Sequence, residues 1–403
     1  MKLLPHAARA FAHRNFRLFF VGQSLSMIGT WVQQVAQAWL MYRLTGSAFH
    51  LGLITFCSQA PILCIAPFGG WLSDRFDRRR LLLTTQVLLS CQALAMAFLT
   101  LSDAVQPWHA LALVLVYGCV LAIDTPVRQS MIVSLVGDKS DLPSAIALNS
   151  MLMNGSRLIG PSIAGILLLW FSEGVCFLIN ALTYIPILYA VWRFKLPARE
   201  AFMAKGMSPL AGLQDALAYA WRTPLIRRSL PMVMLLSLTA SPYTSLMPVF
   251  AKDIFGGDAR LVGYFLSSAG LGALLGTAWL AAHRGTEGLP VLIGRTCLIA
   301  GVALILFSQS RWLPLSLTLM MAVGFGIIVT AASVNTLMQS HVDDARRGRV
   351  MGLYVMSFLG LTSLGGLLFG SLASLGGAPL TLTLTGSACL AGAMIYRWRL
   401  RQS

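Results

Sequence analysis

One carboxylate stands inside a long apolar run, at Asp124-Thr125-Pro126-Val127-Arg128, and an arginine, Arg157, stands inside the next. An ionised group at membrane depth costs several kcal/mol even on lenient scales, so it is paired, faces water, or does chemistry. Asp124 and Arg128 are one helical turn apart and share a face. Arg157 follows Asn149 and Asn154 on the run after a polar turn near 135–144. Counting ~1.5 Å per residue from that turn puts Asp124 and Arg157 each ~15–18 Å deep. Equal depth on adjacent antiparallel helices makes an Asp124–Arg157 ion pair an expectation. The chemistry open to these groups is proton uptake by Asp124, with Arg128 and Arg157 as coupling partners, or binding of an anion by the arginines. A purely structural pair that fixes helix packing stays open beside both.

Uncharged polar residues recur in other apolar runs. Gln23, Gln33, Gln34 and Gln37 lie in the first, with Gln33 and Gln37 one turn apart. Tyr243 sits in the seventh, between Pro242 and Met247-Pro248, and Asn335 precedes Gln339 by one turn in the tenth. Such groups suit a water-filled cavity that binds by hydrogen bonds, and equally suit bonds between packed helices. The fifth run carries Ser156-x-x-x-Gly160-Pro161-Ser162-Ile163-Ala164-Gly165. Small residues at this spacing let helices approach, and Pro161 removes a backbone donor and bends its helix. A plain glycine-rich packing face is the alternative, as Gly360, Gly365, Gly366 and Gly370 illustrate in the eleventh run.

These residues need a membrane-spanning scaffold to position them, and the composition supplies one. Of 403 residues, 57% are apolar and 11% charged, against roughly 25% charged in a soluble domain. Apolar runs fall at 16–42, 49–73, 81–101, 108–134, 145–171, 174–194, 225–252, 261–282, 289–308, 312–338, 348–372 and 377–396. Each is long enough to cross a ~30 Å hydrocarbon core. The expected fold is therefore an all-α membrane protein of about twelve transmembrane helices. The net charge of +16 is spread over short loops, as expected of cytoplasmic loops and not of a nucleic-acid-binding tract. An N-terminus inside places Arg75, Arg78, Arg79, Arg80, Lys139, Arg284, Arg346, Arg347 and Arg349 in cytoplasmic turns, leaving Arg43, Lys252, Arg260 and Arg311 outside. Both termini are then cytoplasmic.

The polar connection near 194–223 divides the spans six and six. The expected organisation is a half at 1–194, a cytoplasmic linker at 195–223 containing an amphipathic 210–219, and a half at 224–403. The halves are weakly similar: Trp71-Leu72 has a counterpart in Trp279-Leu280, and 128–165 in 335–370. The cysteines, Cys57, Cys64, Cys91, Cys119, Cys176, Cys297 and Cys389, form no CxxC pair. They are expected as buried packing residues, not disulfides or metal ligands. No Gly-x-x-x-x-Gly-Lys-Ser/Thr loop is present, so ATP is not the expected energy source, and neither a cofactor nor a metal is expected.

The loop between the second and third runs reads Gly69-Gly70-Trp71-Leu72-Ser73-Asp74-Arg75-Phe76-Asp77-Arg78-Arg79-Arg80. Gly70, Leu72, Asp74, Arg75, Arg78, Arg79 and Arg80 resemble the signature loop of the major facilitator superfamily, with Asp77 where a glycine is more usual. The fifth run resembles that superfamily's antiporter motif, Gly-x-x-x-Gly-Pro-x-x-Gly-Gly, with Ser156 and Ala164 replacing two glycines. Asn15-Phe16-Arg17-Leu18-Phe19, Pro126-Val127-Arg128-Gln129, Met247-Pro248-Val249-Phe250 and Arg346-Arg347-Gly348-Arg349-Val350-Met351 resemble the branch holding enterobactin-type siderophore exporters and macrolide-type efflux proteins.

The resemblance implies two six-helix pseudo-symmetric halves and a transporter, not an enzyme. It implies a monomer in the bacterial inner membrane that exports a small amphiphilic or anionic molecule, siderophore-like or drug-like, against protons. It also implies that spans 1, 4, 7 and 10 line a cavity, making Gln33, Gln37, Tyr243 and Asn335, with Asn154 beside them, candidates for substrate contact. Asp74 is expected against the start of the eleventh span, near 345–350, as a gate. Multidrug efflux, a lysophospholipid flippase, an importer on the same fold and a non-transporting membrane scaffold are the alternatives.

Overall fold

The computed structural model describes residues 6–136, 139–194, 209–282, 288–342 and 344–402; side chains at 66–71, 73, 74, 344, 345, 347 and 348, among others, lie outside the described set. A short turn of helix, His6–Ala12, leads into α1 (Arg14–Thr45), α2 (Ala48–Arg75), α3 (Arg78–Leu101), α4 (Pro107–Leu135), α5 (Leu142–Trp170) and α6 (Glu173–Arg193). Next come α7 (Pro209–Arg222), α8 (Pro224–Thr239), α9 (Tyr243–Val249), α10 (Ala259–Ala282), α11 (Leu289–Gln309), α12 (Leu313–His341), α13 (Asp344–Val355), α14 (Leu361–Gly376) and α15 (Ala378–Arg401). Among the described residues there is no strand.

Among the described residues, eleven segments are long and apolar enough to cross a membrane, with α8–α9 and α13–α14 each counting as one. Helix α1 is the twelfth rod. Its glutamines lower its apolarity, yet its 32 residues reach ~48 Å at ~1.5 Å per residue.

Two of the runs expected as continuous spans are interrupted. In the seventh, the amides of Ala240 and Ser241 both donate to Leu236 O, at 2.9 and 2.8 Å, because Pro242 cannot continue the ladder. The chain restarts as α9 and ends in a π-helical turn, Phe250–Ile254. This span is the most enclosed, with 72% of its apolar window buried. In the eleventh, a π-helical turn at Met356–Gly360 separates α13 from α14. Such turns insert one residue into the helix and re-aim the side chains around it.

Helix α1 packs along α5 and α6, α3 along α4 and α6, and α2 along α4; in the second half α12 lies against α10 and α11, and α11 against α15. The halves meet through α5 on α10 and α2 on α14. These crossings rest on backbone-to-backbone approach: a Cβ on Gly263 would lie 2.7 Å from Pro161 O, and one on Gly52 would lie 2.5 Å from Gly366 O. Every glycine contact between halves among the described residues falls between mid-span and the end opposite the termini, here the far end. Towards the terminal end, Gly155 and Gly352 face open space. Among the described residues the glycine contacts between halves thus concentrate from mid-span to the far end.

At the terminal end each half carries a pre-helix docked on its own fifth span. Ala10 N donates to Ser144 Oγ at 3.2 Å, and His13 Nε2 lies 3.0 Å from Asp141 Oδ2. In the second half Asp215 of α7 bridges Arg349 and Arg346 of α13, and the Arg346 guanidinium sits 5.2 Å over the Tyr219 ring. The amphipathic face expected at 210–219 thus belongs to α7.

Candidate functional site

Asp124 is 1% exposed and lies inside the first half. Its Oδ1 accepts from Thr85 Oγ1 at 2.7 Å and from Gln86 Nε2 at 2.8 Å, both on α3. Its Oδ2 stands 3.8 Å from Arg128 Nε, one turn along α4. The carboxylate is solvated by neutral donors and only loosely paired with its cation. Tyr117 extends the cluster, engaging Gln34 and facing both Arg128 and Asp124.

The expected Asp124–Arg157 ion pair is absent from this structure. Depth along a helix does not fix direction around it. Helix α4 presents Asp124 to α3, whereas α5 turns its face to α1 and α10. Consecutive spans need not be packing neighbours in the bundle, and α4 and α5 barely touch.

The glutamines of α1 divide in the same way. Gln33 is buried: its Nε2 donates to Gln92 Oε1 at 3.1 Å, and Asn180 Nδ2 donates to its Oε1 at 2.6 Å. It joins α1 to α3 and α6 inside the first half. Gln37 is buried too, while Gln34, between them, is exposed. Gln86 Oε1, Gln92 Nε2 and Gln23 Oε1 are buried without a protein partner. Buried polar atoms of this kind are commonly satisfied by internal water. The Thr85-Gln86 pair and Gln92 were overlooked by sequence reasoning; their signal was polar residues within the apolar run 81–101.

Arg157 occupies a different place. It lies midway along α5, half-buried, with its guanidinium 5.6 Å over the Trp31 ring and its charge felt by the buried Tyr243 hydroxyl. It thereby joins α5 and α1 to α9 of the other half. Gly160 makes room for this: a Cβ there would stand 2.3 Å from Trp31 Cβ. Ser156, Gly160, Pro161, Ala164 and Gly165 are all buried. They form two seams, Gly160 against α1 and the Pro161–Gly165 turn against Gly263 of α10. Asn154 is half-buried and donates to Ser150 O at 3.0 Å, on its own helix. Asn335 accepts from Gln339 at 2.5 Å and engages Tyr354.

With this geometry in place, comparison with known proteins is decisive at the level of family. Residues 6–403 match the transmembrane secretion effector family of the major facilitator superfamily. The chain belongs to that family. The chain is 25% identical over 393 residues to the staphyloferrin A transporter of Staphylococcus aureus, covering 94% of this chain and 95% of that one. It is 25% identical to the multidrug efflux pump Tap of Mycolicibacterium fortuitum, covering 93% of each. It is 24% identical to the enterobactin exporter EntS of Escherichia coli, covering 95% and 90%. Among solved structures, the nucleoside transporter NupG, crystallised as a point mutant, superposes with a TM-score of 0.75 at 12% identity, covering 95% of this chain and 98% of that one. A bacterial homologue of the lysosomal transporter Spinster, captured inward-facing and unoccupied, gives 0.71 at 15% identity, covering 97% and 96%. The family consists of transporters, not enzymes.

In this chain the loop between α2 and α3 is tight. Helix α2 ends at Arg75 and α3 starts at Arg78. Asp77, the departure from the usual glycine, caps α3: its Oδ1 accepts from Arg80 N at 2.8 Å. Arg79 donates to the carbonyls of Val191, at 2.9 Å, and Trp192, satisfying the C-terminal end of α6. Gly70 and the side chains of Asp74 and of residues 345, 347 and 348 lie outside the described set, so the expected Asp74 gate does too.

At the far end the bundle carries polar contacts. Tyr42 of α1 donates to Asp253 of the π-helical turn, joining the halves, and Lys252 Nζ sits 5.5 Å over the Tyr42 ring. Within the first half, Arg43 Nε donates to the buried Glu173 at 2.8 Å. Tyr42→Phe removes a contact available only while this end is shut. The expected result is faster labelling of Ser47→Cys by a membrane-impermeant maleimide in a cysteine-free background. Unchanged labelling would deny the contact a latching role.

The cysteines depart from expectation in part. Cys176, Cys297 and Cys389 are buried, but Cys64 and Cys91 are exposed on the bundle surface. Apolar surroundings in the sequence did not distinguish a protein core from a lipid-facing position. The Cys297 and Cys389 thiols lie 3.5 Å apart between α11 and α15.

Proposed function

We propose that this protein exports a small amphiphilic or anionic molecule across the bacterial inner membrane, driven by protons, with siderophore-like cargo first and drug-like cargo second. The observation that carries the reading is the Asp124 cluster. A carboxylate 1% exposed, held by two neutral donors and a cation at 3.8 Å, can be neutralised without breaking a tight bidentate pair. Arg128 then becomes the uncompensated charge, and the surrounding helices must respond. Export as the direction is supported by relatives described as exporters and efflux pumps.

With the termini and the Arg75–Arg80 turn in the cytoplasm, as the positive-inside rule favours, the far end, where the halves touch, is the periplasmic closure. Transport proceeds by rocking of a half at 1–194 against a half at 224–403 about a mid-span site. The working unit is a monomer.

The test is efflux from energised cells or everted vesicles. Collapsing the proton gradient with an uncoupler, while ATP is held constant, is expected to stop accumulation in everted vesicles. Undiminished transport would defeat proton coupling, and accumulation only in right-side-out vesicles would reverse the direction.

A further inference from the structure

Arg157 and Arg128 make an instructive contrast. Both are arginines within the spans of the first half, but Arg128 has its carboxylate on the next turn, at 3.8 Å. Among the described residues no carboxylate lies within ion-pair distance of Arg157, whose neighbours are Trp31 and Tyr243. An arginine kept at membrane depth without a counter-charge is costly. Its planar fork meets no carboxylate here and has the geometry to take a carboxylate or phenolate in two parallel hydrogen bonds. The site is not sealed: Arg157 is half-buried, and Gly155, two residues towards the terminal end, faces open space. The Trp31 ring beside the guanidinium adds a flat apolar wall, and the Tyr243 hydroxyl adds a donor. Gly160 lets Trp31 pack closely against α5.

We infer that Arg157, Trp31 and Tyr243 form the receptor for the anionic head of the cargo, and that they select an aromatic or planar acid over its uncharged analogue. This rests on the transporter reading above and narrows its substrate class. The anion approaches from the Gly155 side, pairs with Arg157, and lays its ring along Trp31. Tyr243 comes from the other half, so filling the site tightens a contact between halves. Cargo binding and the rocking of the halves are thereby linked through the broken seventh span.

Binding tests this without a gradient or a transport assay. The purified full-length protein in lipid nanodiscs is titrated at pH 7 with 2-naphthoate and, separately, with the neutral 2-naphthamide, by calorimetry and by quenching of tryptophan fluorescence. The expected result is at least tenfold tighter binding of the acid. That preference should be lost in Arg157→Gln, and the quench should be lost in Trp31→Phe. Arg157→Lys keeps the charge without the fork and should retain an intermediate preference, so it carries the test if Arg157→Gln does not fold. Tyr243→Phe should weaken the acid more than the amide. Equal affinity for acid and amide in the native protein, or a preference that survives Arg157→Gln or is unaltered in Arg157→Lys, overturns the inference. Proton coupling can fail in vesicles while the acid preference stands, and the reverse, so the two readings fall separately.

Discussion

Asp124→Asn is expected to lower gradient-driven transport by about 100-fold or more, the scale set by losing a group that carries a proton, while the protein still inserts and folds. The asparagine keeps the shape and can still accept from Thr85 and Gln86, which hold the carboxylate at 2.7 and 2.8 Å. What it loses is the charge facing Arg128 and the ability to take up a proton. Removing one partner of a buried ion pair typically costs ~3–5 kcal/mol. Here the pair is long, at 3.8 Å, and the Arg128 side chain is 12% exposed, so the cost should fall below that range. Adding Arg128→Gln removes the orphaned cation. The double variant should recover thermal stability in detergent and remain inactive in vesicles. A double variant that regains transport would reduce the pair to a packing device, and Asp124→Asn with native rates would remove Asp124 from the coupling mechanism.

The partner of Asp124 marks where sequence reasoning stops. That Asp124 and Arg157 are at membrane depth was legible, because distance along a helix follows from residue number. Which helix each faces was not, because consecutive spans are joined by a turn but need not pack side by side. Asp124 found Thr85 and Gln86 on α3, and Arg157 found Trp31 and Tyr243. The α1 glutamines teach the same lesson at finer grain. Gln33 and Gln37 share a helical face, and that face is turned into the first half, while Gln34 between them is exposed. Spacing predicts which side chains share a face but not what the face looks at. Pro242 announced the break in the seventh span, whereas the π-helical turn at Met356–Gly360 has no local residue that demands it. The turn is set by packing around it, including Gly360 against Leu63.

Glycines predict the second large effect, because the same substitution should act on different equilibria at two sites. Gly324 lies at the α10–α12 crossing inside the second half, where a Cβ would fall 1.8 Å from Ala269 O. Backbone cannot yield there, so Gly324→Ala must push two helices of one half apart. The cost should reach or exceed the upper end of the ~1–3 kcal/mol usual for overpacking, and it is paid in every conformation. The expected outcome is a large fall in folded yield and melting temperature. Gly52 lies instead between the halves, 2.5 Å from Gly366 O by the same construction and 2.9 Å from Gly370 Cα. If the halves rock as units, that contact exists only while the far end is closed. A penalty of ~2 kcal/mol on that state alone shifts the balance of states ~30-fold towards the open far end. Gly52→Ala should therefore melt close to the native protein, yet spin labels at Ser47→Cys and Leu375→Cys should move apart in double electron–electron resonance. If Gly52→Ala instead lowers the melting temperature as far as Gly324→Ala and leaves the label distance unchanged, the α2–α14 seam is part of a fixed core, and the rocking of one half on the other is refuted.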